Sequence, residues 1–203
     1  MDNTWTIKGL TLEFLEDCHQ YLVQGVMVDS ITQILSRKYA DKYADVSPRV
    51  LKAAADKGTE MHSQIERFCK EGVVGDMPEV RNFAFLQKQY KFEVLENEVP
   101  VILFDGETPV AAGRLDMIIN MDGKIGLVDL KRTSVLDKAY LADQLNLYRI
   151  ALRQSTDVEA DFLRGIHLRE NVRKFVPIPI NEDMALQIIK DYLEGKYDTE
   201  NQQ

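Results

Sequence analysis

Gly113-Arg114-Leu115-Asp116-Met117-Ile118-Ile119-Asn120-Met121-Asp122-Gly123-Lys124-Ile125-Gly126-Leu127-Val128-Asp129-Leu130-Lys131 is the stretch that decides the fold. Two apolar runs flank an Asp-Gly pair, a strong short-range signal for a β-hairpin. With Asp122-Gly123 as a two-residue turn, Met121 pairs with Lys124. Counting outward in step then sets Asp116 opposite Asp129. Opposed residues share a face, with Cβ atoms about 4.5–5.5 Å apart. Lys131 lies two residues beyond Asp129 and joins them there. Two facing carboxylates repel unless a cation sits between them. Lys131 offsets part of that repulsion, and a divalent ion offsets more. Oxygen donors of this kind suit Mg²⁺. The plain alternative is a solvated Asp–Asp–Lys cluster. It fits poorly, because Asp129 interrupts Ile125-Gly126-Leu127-Val128-Leu130, a run typical of a buried strand. An Asp is seldom buried there without a partner or a metal.

Outward from this hairpin the pattern is mixed. Upstream, Phe92 to Phe104 reads as a third strand, joined to Val110–Met121 through an Asp105-Gly106 turn. Near the N-terminus, Leu10 to Leu15, His19 to Val23 and Val26 to Val28 read as short strands, with Gln24-Gly25 as a turn. Ser30 caps a short helix through Tyr39. Ser47-Pro48 opens a long helix that runs to Glu71 and stops at Gly72. Pro78 opens another, with Val80, Phe83, Phe85, Leu86 and Tyr90 as its apolar face. Downstream, an amphipathic helix spans about Asp137 to Gln154. The strands Asp161 to Leu168 and Arg173 to Ile180 follow, and Asn181 caps a final helix ending near Gly195. The expected class is α/β, a mixed central sheet flanked by helices.

Composition narrows the function classes. The 203 residues are 45% hydrophobic and 29% charged, an ordinary globular balance. The only cysteines, Cys18 and Cys69, form no C-x-x-C pair, so a zinc knuckle is disfavoured and a four-cysteine cluster within one chain is excluded. There is no bilayer-length apolar run and no signal-like leader, so a cytoplasmic protein without membrane contact is expected. A formal net charge of -8 argues against a surface coated for non-specific nucleic-acid binding. A local basic strip can still hold a phosphate backbone. Arg132, Lys138, Arg149 and Arg153 are candidates for it, and Arg114 is a candidate phosphate contact. His19 and His167 lack the motif spacing that accompanies His62 and read as structural.

Gly113-Arg114-Leu115-Asp116, Val128-Asp129-Leu130-Lys131 and Gln144-x-x-x-Tyr148, with Gly58-Thr59-Glu60-Met61-His62 upstream, resemble the RecB-type branch of the PD-(D/E)XK nucleases. The stretch from His19-x-Tyr21 and Gly25 to Asp29-Ser30-Ile31-Thr32-Gln33-Ile34-Leu35 is similar to the opening of phage and prophage members. The resemblance covers about residues 10 to 155. It implies a restriction-endonuclease-like core over residues 1–203, with 1–45 as an N-terminal hairpin and helix extension. It implies that Asp116, Asp129, His62 and the backbone carbonyl of Leu130 ligate Mg²⁺ or Mn²⁺. It makes Lys131 the catalytic lysine, with Gln144 and Tyr148 positioning DNA or active-site side chains. A glutamate on the preceding strand completes the family's set; Glu98 is the first candidate and Glu96 the second. The connection from Asp105 to Pro109 is two to five residues long, and a one-residue change reverses the face of Glu98. Leu115 stands where restriction enzymes carry Pro, and Asp129 where they carry Glu. The cysteine count departs from the branch members that hold an iron–sulfur cluster.

The resemblance implies a metal-dependent deoxyribonuclease, an exonuclease of phage or prophage recombination or replication. DNA is the expected partner, together with a phage recombination or single-strand-binding protein, and the chain is free to form an oligomer. The alternatives are a catalytically silent nucleic-acid-binding or protein-interaction module on the same scaffold, and a hydrolase of another phosphoester.

Overall fold

The computed structural model describes residues 3–40 and 47–198. Its strands are β1 (Asn3–Ile7), β2 (Leu10–Leu15), β3 (Gln20–Val23), β4 (Val26–Ser30), β5 (Glu93–Asp105), β6 (Thr108–Met121), β7 (Lys124–Lys131), β8 (Phe162–Arg169) and β9 (Val172–Ile178). Its helices are α1 (Ile31–Lys38), α2 (Pro48–Glu71), α3 (Pro78–Tyr90), α4 (Lys138–Thr156) and α5 (Glu182–Leu193). Among the described residues the nine strands form one mixed sheet in the order β1-β2-β3-β4-β6-β7-β8-β9, with β5 also paired to β6. Two joins are parallel, β4 to β6 and β7 to β8, and the others are antiparallel. No helix is long and apolar enough to cross a membrane.

Local chemistry explains the boundaries. Ser30 and Gln33 form a reciprocal capping box at α1. α2 starts at Pro48, although Ser47 makes no side-chain capping bond, and it stops at Gly72 in the left-handed region. Asp137 and Asn181 accept first-turn backbone donors of α4 and α5, Tyr140 N and Met184 N. Asp122 and Gly123 both have positive φ, as a type I′ hairpin requires, and the register runs from Met121↔Lys124 to Met117↔Val128.

Several details differ from the sequence reading. β1 is an additional strand; its apolar positions, Trp5 and Ile7, are too few for alternation to stand out. Residues 3–30 form a four-stranded meander rather than a hairpin, and β4 stitches it into the central sheet at Asp29↔Ala111 and Ser30↔Ala112. His19 precedes β3 in a turn, with φ of 54°. The β5–β6 turn is Gly106-Glu107, because Asp105 itself pairs with Thr108. Phe85 and Tyr90 stay 45% and 39% exposed, so the buried face of α3 is narrower than its apolar stripe.

The sheet is covered on both faces. One core packs α1, α4 and α5 on Val99, Val101, Leu103, Leu115, Leu127 and Leu163. The other packs α2 and α3 on Met117, Ile119, Val128, Leu130 and Ile166. A third joins the meander to Ile102 and Ala112. Leu115 and Met117, two residues apart on β6, therefore lie in different cores. A regular strand would put both on one face, so β6 turns over between them.

The free edge of β5 is closed by a helix. Ser155 Oγ accepts from Ile102 N at 2.9 Å and donates to Ile102 O at 3.1 Å. Gln154 does the same for Phe104, at 2.9 and 3.0 Å. Two side chains of α4 thus stand in for a missing strand, which protects an edge otherwise open to pairing with another chain. Ser155→Ala strands a buried donor and acceptor and is expected to cost about 2 kcal/mol. Gln154→Ala should cost less, since that site is only partly buried. Urea unfolding at constant m-value measures both; a Ser155→Ala protein as stable as wild type would contradict this account.

Candidate metal centre

The centre forms where β6 and β7 part. Their paired register ends at Met117↔Val128, one step short of Asp116 and Asp129. There Leu130 N donates to Asp116 Oδ2 at 2.7 Å. The carboxylate thus serves a strand donor beyond the end of the paired ladder. Across β6, the ladder with β5 skips the pair Glu98–Asp116, between Asn97↔Met117 and Val99↔Leu115. Glu98 has φ of 52°, a left-handed conformation uncommon for a non-glycine residue. This local inversion, together with the register shift between Leu103 and Phe104 beside the following turn, sets the face of Glu98. It accompanies the turnover of β6 and brings Glu98 to Asp116. Glu96 is exposed and takes no part.

Asp129 and Lys131 come from the end of β7. Asp129 is buried, and Lys131 Nζ lies 2.9 Å from its Oδ1 and 2.8 Å from its Oδ2. Only the Oδ1 contact is a well-directed hydrogen bond; Oδ2 has none. Burial raises the pKa of Asp129; Lys131 opposes the shift and Asp116 adds to it. Burial works against the charge of Lys131 too, but Asp129 and Asp116 outweigh it and hold its pKa above the ordinary range. Nζ also donates to Gln144 Oε1 at 2.9 Å. Tyr148, one turn further along α4, is buried, which keeps its phenol neutral far above neutral pH. It packs on Gly113, where a Cβ would lie 2.9 Å from the phenol oxygen, so only glycine lets the ring this close to β6.

His62 reaches the same point from α2. Its Nε2 donates to Leu130 O at 3.1 Å, a tautomer assigned from its partner. Its Nδ1 faces Asp116 Oδ1 at 3.6 Å and Glu98 Oε1 at 3.7 Å. Burial opposes the imidazolium, but Asp116 and Glu98 overcome this and push its pKa up to about 9. His62, Glu98 and Asp116 offer ligand atoms all within 4.8 Å of one another.

These groups line a cleft of about 570 Å³. Its far walls are residues that sequence reasoning did not assign: Tyr21 of β3, Ser30 and Thr32 at the start of α1, and Ala54, Ala55 and Thr59 of α2. His19, read as structural, packs edge-on against Phe14 and also reaches the cleft. Arg114 lines it too, 3.5 Å from Glu98 Oε2 and stacked 4.9 Å over Phe14.

The proposed basic strip does not form as expected. Arg149 and Arg153 pair with Glu159 and Glu182. Arg132 pairs with buried Glu79 at 2.8 Å. Lys138 is exposed and does not line the cleft. The three arginines are each closer to an acid in space than the linear sequence revealed. His167 does not line the cleft; it is buried and donates through Nε2 to Thr133 O at 2.7 Å.

Asp143, directly before Gln144, was also missed. It is buried and accepts from Lys38 Nζ at 2.5 Å and Tyr39 Oη at 2.7 Å. Its partners lie more than a hundred positions away, so no local pattern could have revealed it.

The donor set suits a hard divalent cation. His62, Glu98 and Asp116 stand close enough to share one ion, and the Asp129 carboxylate and the Leu130 carbonyl line the same cleft; that carbonyl keeps a second lone pair beside its bond to His62. Asp129 Oδ2 is buried and lies 2.8 Å from Lys131 Nζ without a directed hydrogen bond, so it keeps lone pairs that an ion could share.

No family model matches the chain, and no curated protein matches it. Among solved structures it is similar to one reported as "Crystal structure of SSO0001", at 16% identity. That match covers 84% of this chain and 77% of the other, with a TM-score of 0.48.

In metal-free protein the His62 imidazole should titrate near pH 9, followed by NMR of its ring protons. Because this pKa is raised, the charge stabilises the fold fully below about 6.5, the unfolded value. That contribution fades as pH climbs through about 9. Glu98→Gln should move the midpoint down. A midpoint near 6.5 in both proteins would rule out this electrostatic account.

Proposed function

We propose that the protein is a divalent-metal-dependent deoxyribonuclease, hydrolysing DNA phosphodiester bonds with Mg²⁺ or Mn²⁺. One observation carries this reading. Asp116, Asp129, Glu98, His62 and Lys131, from four separate elements, converge on one cleft at the point where two central strands part. The sequence motifs that resemble the RecB-type PD-(D/E)XK nucleases are the same residues. An exonuclease of phage or prophage recombination or replication is the specific form we propose.

Asp116, Asp129, Glu98 and the Leu130 carbonyl would hold the metal. Once bound, the metal supplies Lewis-acid polarisation of a phosphoryl oxygen. His62 must first lose its raised-pKa proton to serve as a ligand, so its role in the metal-loaded protein couples to proton release. In hydrolysis, water adds to phosphorus, one P–O ester bond breaks, and the leaving oxygen takes up a proton. Lys131 keeps its own proton and presents it beside the developing negative charge, stabilising it electrostatically. Gln144 fixes the direction of that ammonium, and Asp129 prevents it from swinging out of the cleft. Tyr148, packed on Gly113, fixes the side of α4 that carries Gln144. These side chains are set before substrate arrives, so little reorganisation opposes reaction.

Purified protein should degrade linear DNA in Mg²⁺ or Mn²⁺ and not in EDTA. Asp129→Ala and Lys131→Ala should each lower the rate by about a hundredfold or more. Equal activity in those variants refutes the assignment. Sparing of closed circular DNA marks exonucleolytic action. Calorimetric titration with Mn²⁺ separates the enzyme from a silent scaffold, which would bind no metal dependent on Asp116.

A further inference from the structure

A second cavity, of about 240 Å³, adjoins the cleft. The two share Lys131 and Thr133 as a common wall. Its other walls are Ser36 of α1, Leu136 and Asp137 before α4, and Tyr140 in the first turn of α4. Nothing in the metal chemistry requires this space.

Its lining has a definite character. Tyr140 and Leu136 give it an aromatic and an aliphatic surface. The hydroxyls of Ser36, which donates to Thr32 O, and of Thr133, and the carboxylate of Asp137, which caps α4, make the rest of its lining polar. The tyrosine is braced. Its ring lies 5.4 Å from that of Tyr39, whose hydroxyl is anchored on buried Asp143 at 2.7 Å. Lys131 Nζ is 6.0 Å from the Tyr140 ring centroid. An aromatic face beside an ammonium is what one nucleotide presents a use for, its base on the ring and its phosphate at the charge. Polar groups around the ring suit the edge of a base. The volume falls below the usual small-molecule site of about 300–1,000 Å³. It has room for a single base and not for a base pair.

We propose that this cavity seats one unpaired nucleobase of the bound DNA strand against Tyr140, next to the phosphate held at Lys131. This rests on the nuclease reading and deepens it, because a base held there has left its duplex. The strand at the cleft is therefore single, either single-stranded substrate or a frayed end.

The test compares a fluorescein-labelled single-stranded oligodeoxynucleotide with the same strand made wholly abasic. Binding is read by anisotropy in Ca²⁺. Wild type should prefer the base-bearing strand by about tenfold, the scale of one base–aromatic stack. Tyr140→Ala removes the ring, and Ser36→Phe fills the cavity without removing it. Both should abolish the preference, and Tyr140→Phe should keep it. Thermal melts identify any variant that fails to fold, and the remaining variants decide. Wild type binding both strands equally, or binding neither, overturns the proposal, as does full preference in both Tyr140→Ala and Ser36→Phe. The cleavage assay is separate. A protein that prefers bases but never cuts DNA keeps the cavity and loses the nuclease. One that cuts but ignores bases loses the cavity alone.

Discussion

The hydrogen bond from Leu130 N to Asp116 Oδ2 is the contact on which the rest of the structure depends. Two central strands cannot separate inside a sheet without stranding backbone donors, and a buried stranded donor costs about 1–3 kcal/mol. Asp116 removes that cost by accepting from β7 with its side chain. The strands part, and the gap becomes the floor of the cleft. The same carboxylate is thereby fixed in direction, with Oδ1 turned toward His62. A structural bond and a candidate ligand position are thus two ends of one side chain.

The charges around that gap are held by one another rather than by water. Asp129 and Lys131 would each be costly to bury alone, and losing either partner leaves an uncompensated ion. Gln144 Oε1 accepts a further hydrogen bond from Lys131 Nζ, and α4 carries Gln144. That helix is pinned in turn by Asp143 to Lys38 and Tyr39, and by Ser155 and Gln154 to the edge of β5. Polar contacts spread along α4 therefore determine where one ammonium points. This explains why α4 buries Asp143 and Gln144 amid its leucines; buried Asn146 instead bonds Pro179 O and Asn181 N at the entry to α5.

Much of this was legible in the sequence, for identifiable reasons. The Asp122-Gly123 turn admits one geometry, and that geometry fixes a register that carries Asp116 toward Asp129 by counting. The interruption of an apolar run by Asp129 marked a buried carboxylate. Helix ends at Ser30, Pro48, Gly72, Asp137 and Asn181 obey short-range rules. Glu98 was different. Parity along β5 could not place it, because its face depends on a register shift at Leu103 and Phe104 and on Glu98 entering the left-handed region, and no local signal forces either. Asp143, Glu79 and the arginine pairs escaped for another reason. Their partners are long-range, and a sequence shows charges without showing which of them meet.

Those pairings also bear on how an acidic protein would hold a polyanion. Arg132, Arg149 and Arg153 are each committed to a carboxylate, as are Arg37 to Asp29 and Lys38 to Asp143. Their fields are locally cancelled, so they contribute little to a long-range pull on phosphate. Within the cleft the described cations are few: Lys131, Arg114, Arg132 and the charged form of His62, all beside acids. Without a metal, Glu98, Asp116, Asp129 and the Arg132 partner Glu79 cancel those four charges almost completely. A divalent ion would tip that balance toward positive charge at a single point. Affinity built this way comes from one local charge and from surfaces that grip the uncharged parts of a nucleotide. On a chain of net charge -8, an aromatic wall beside Lys131 is therefore the more economical physical solution than a basic strip.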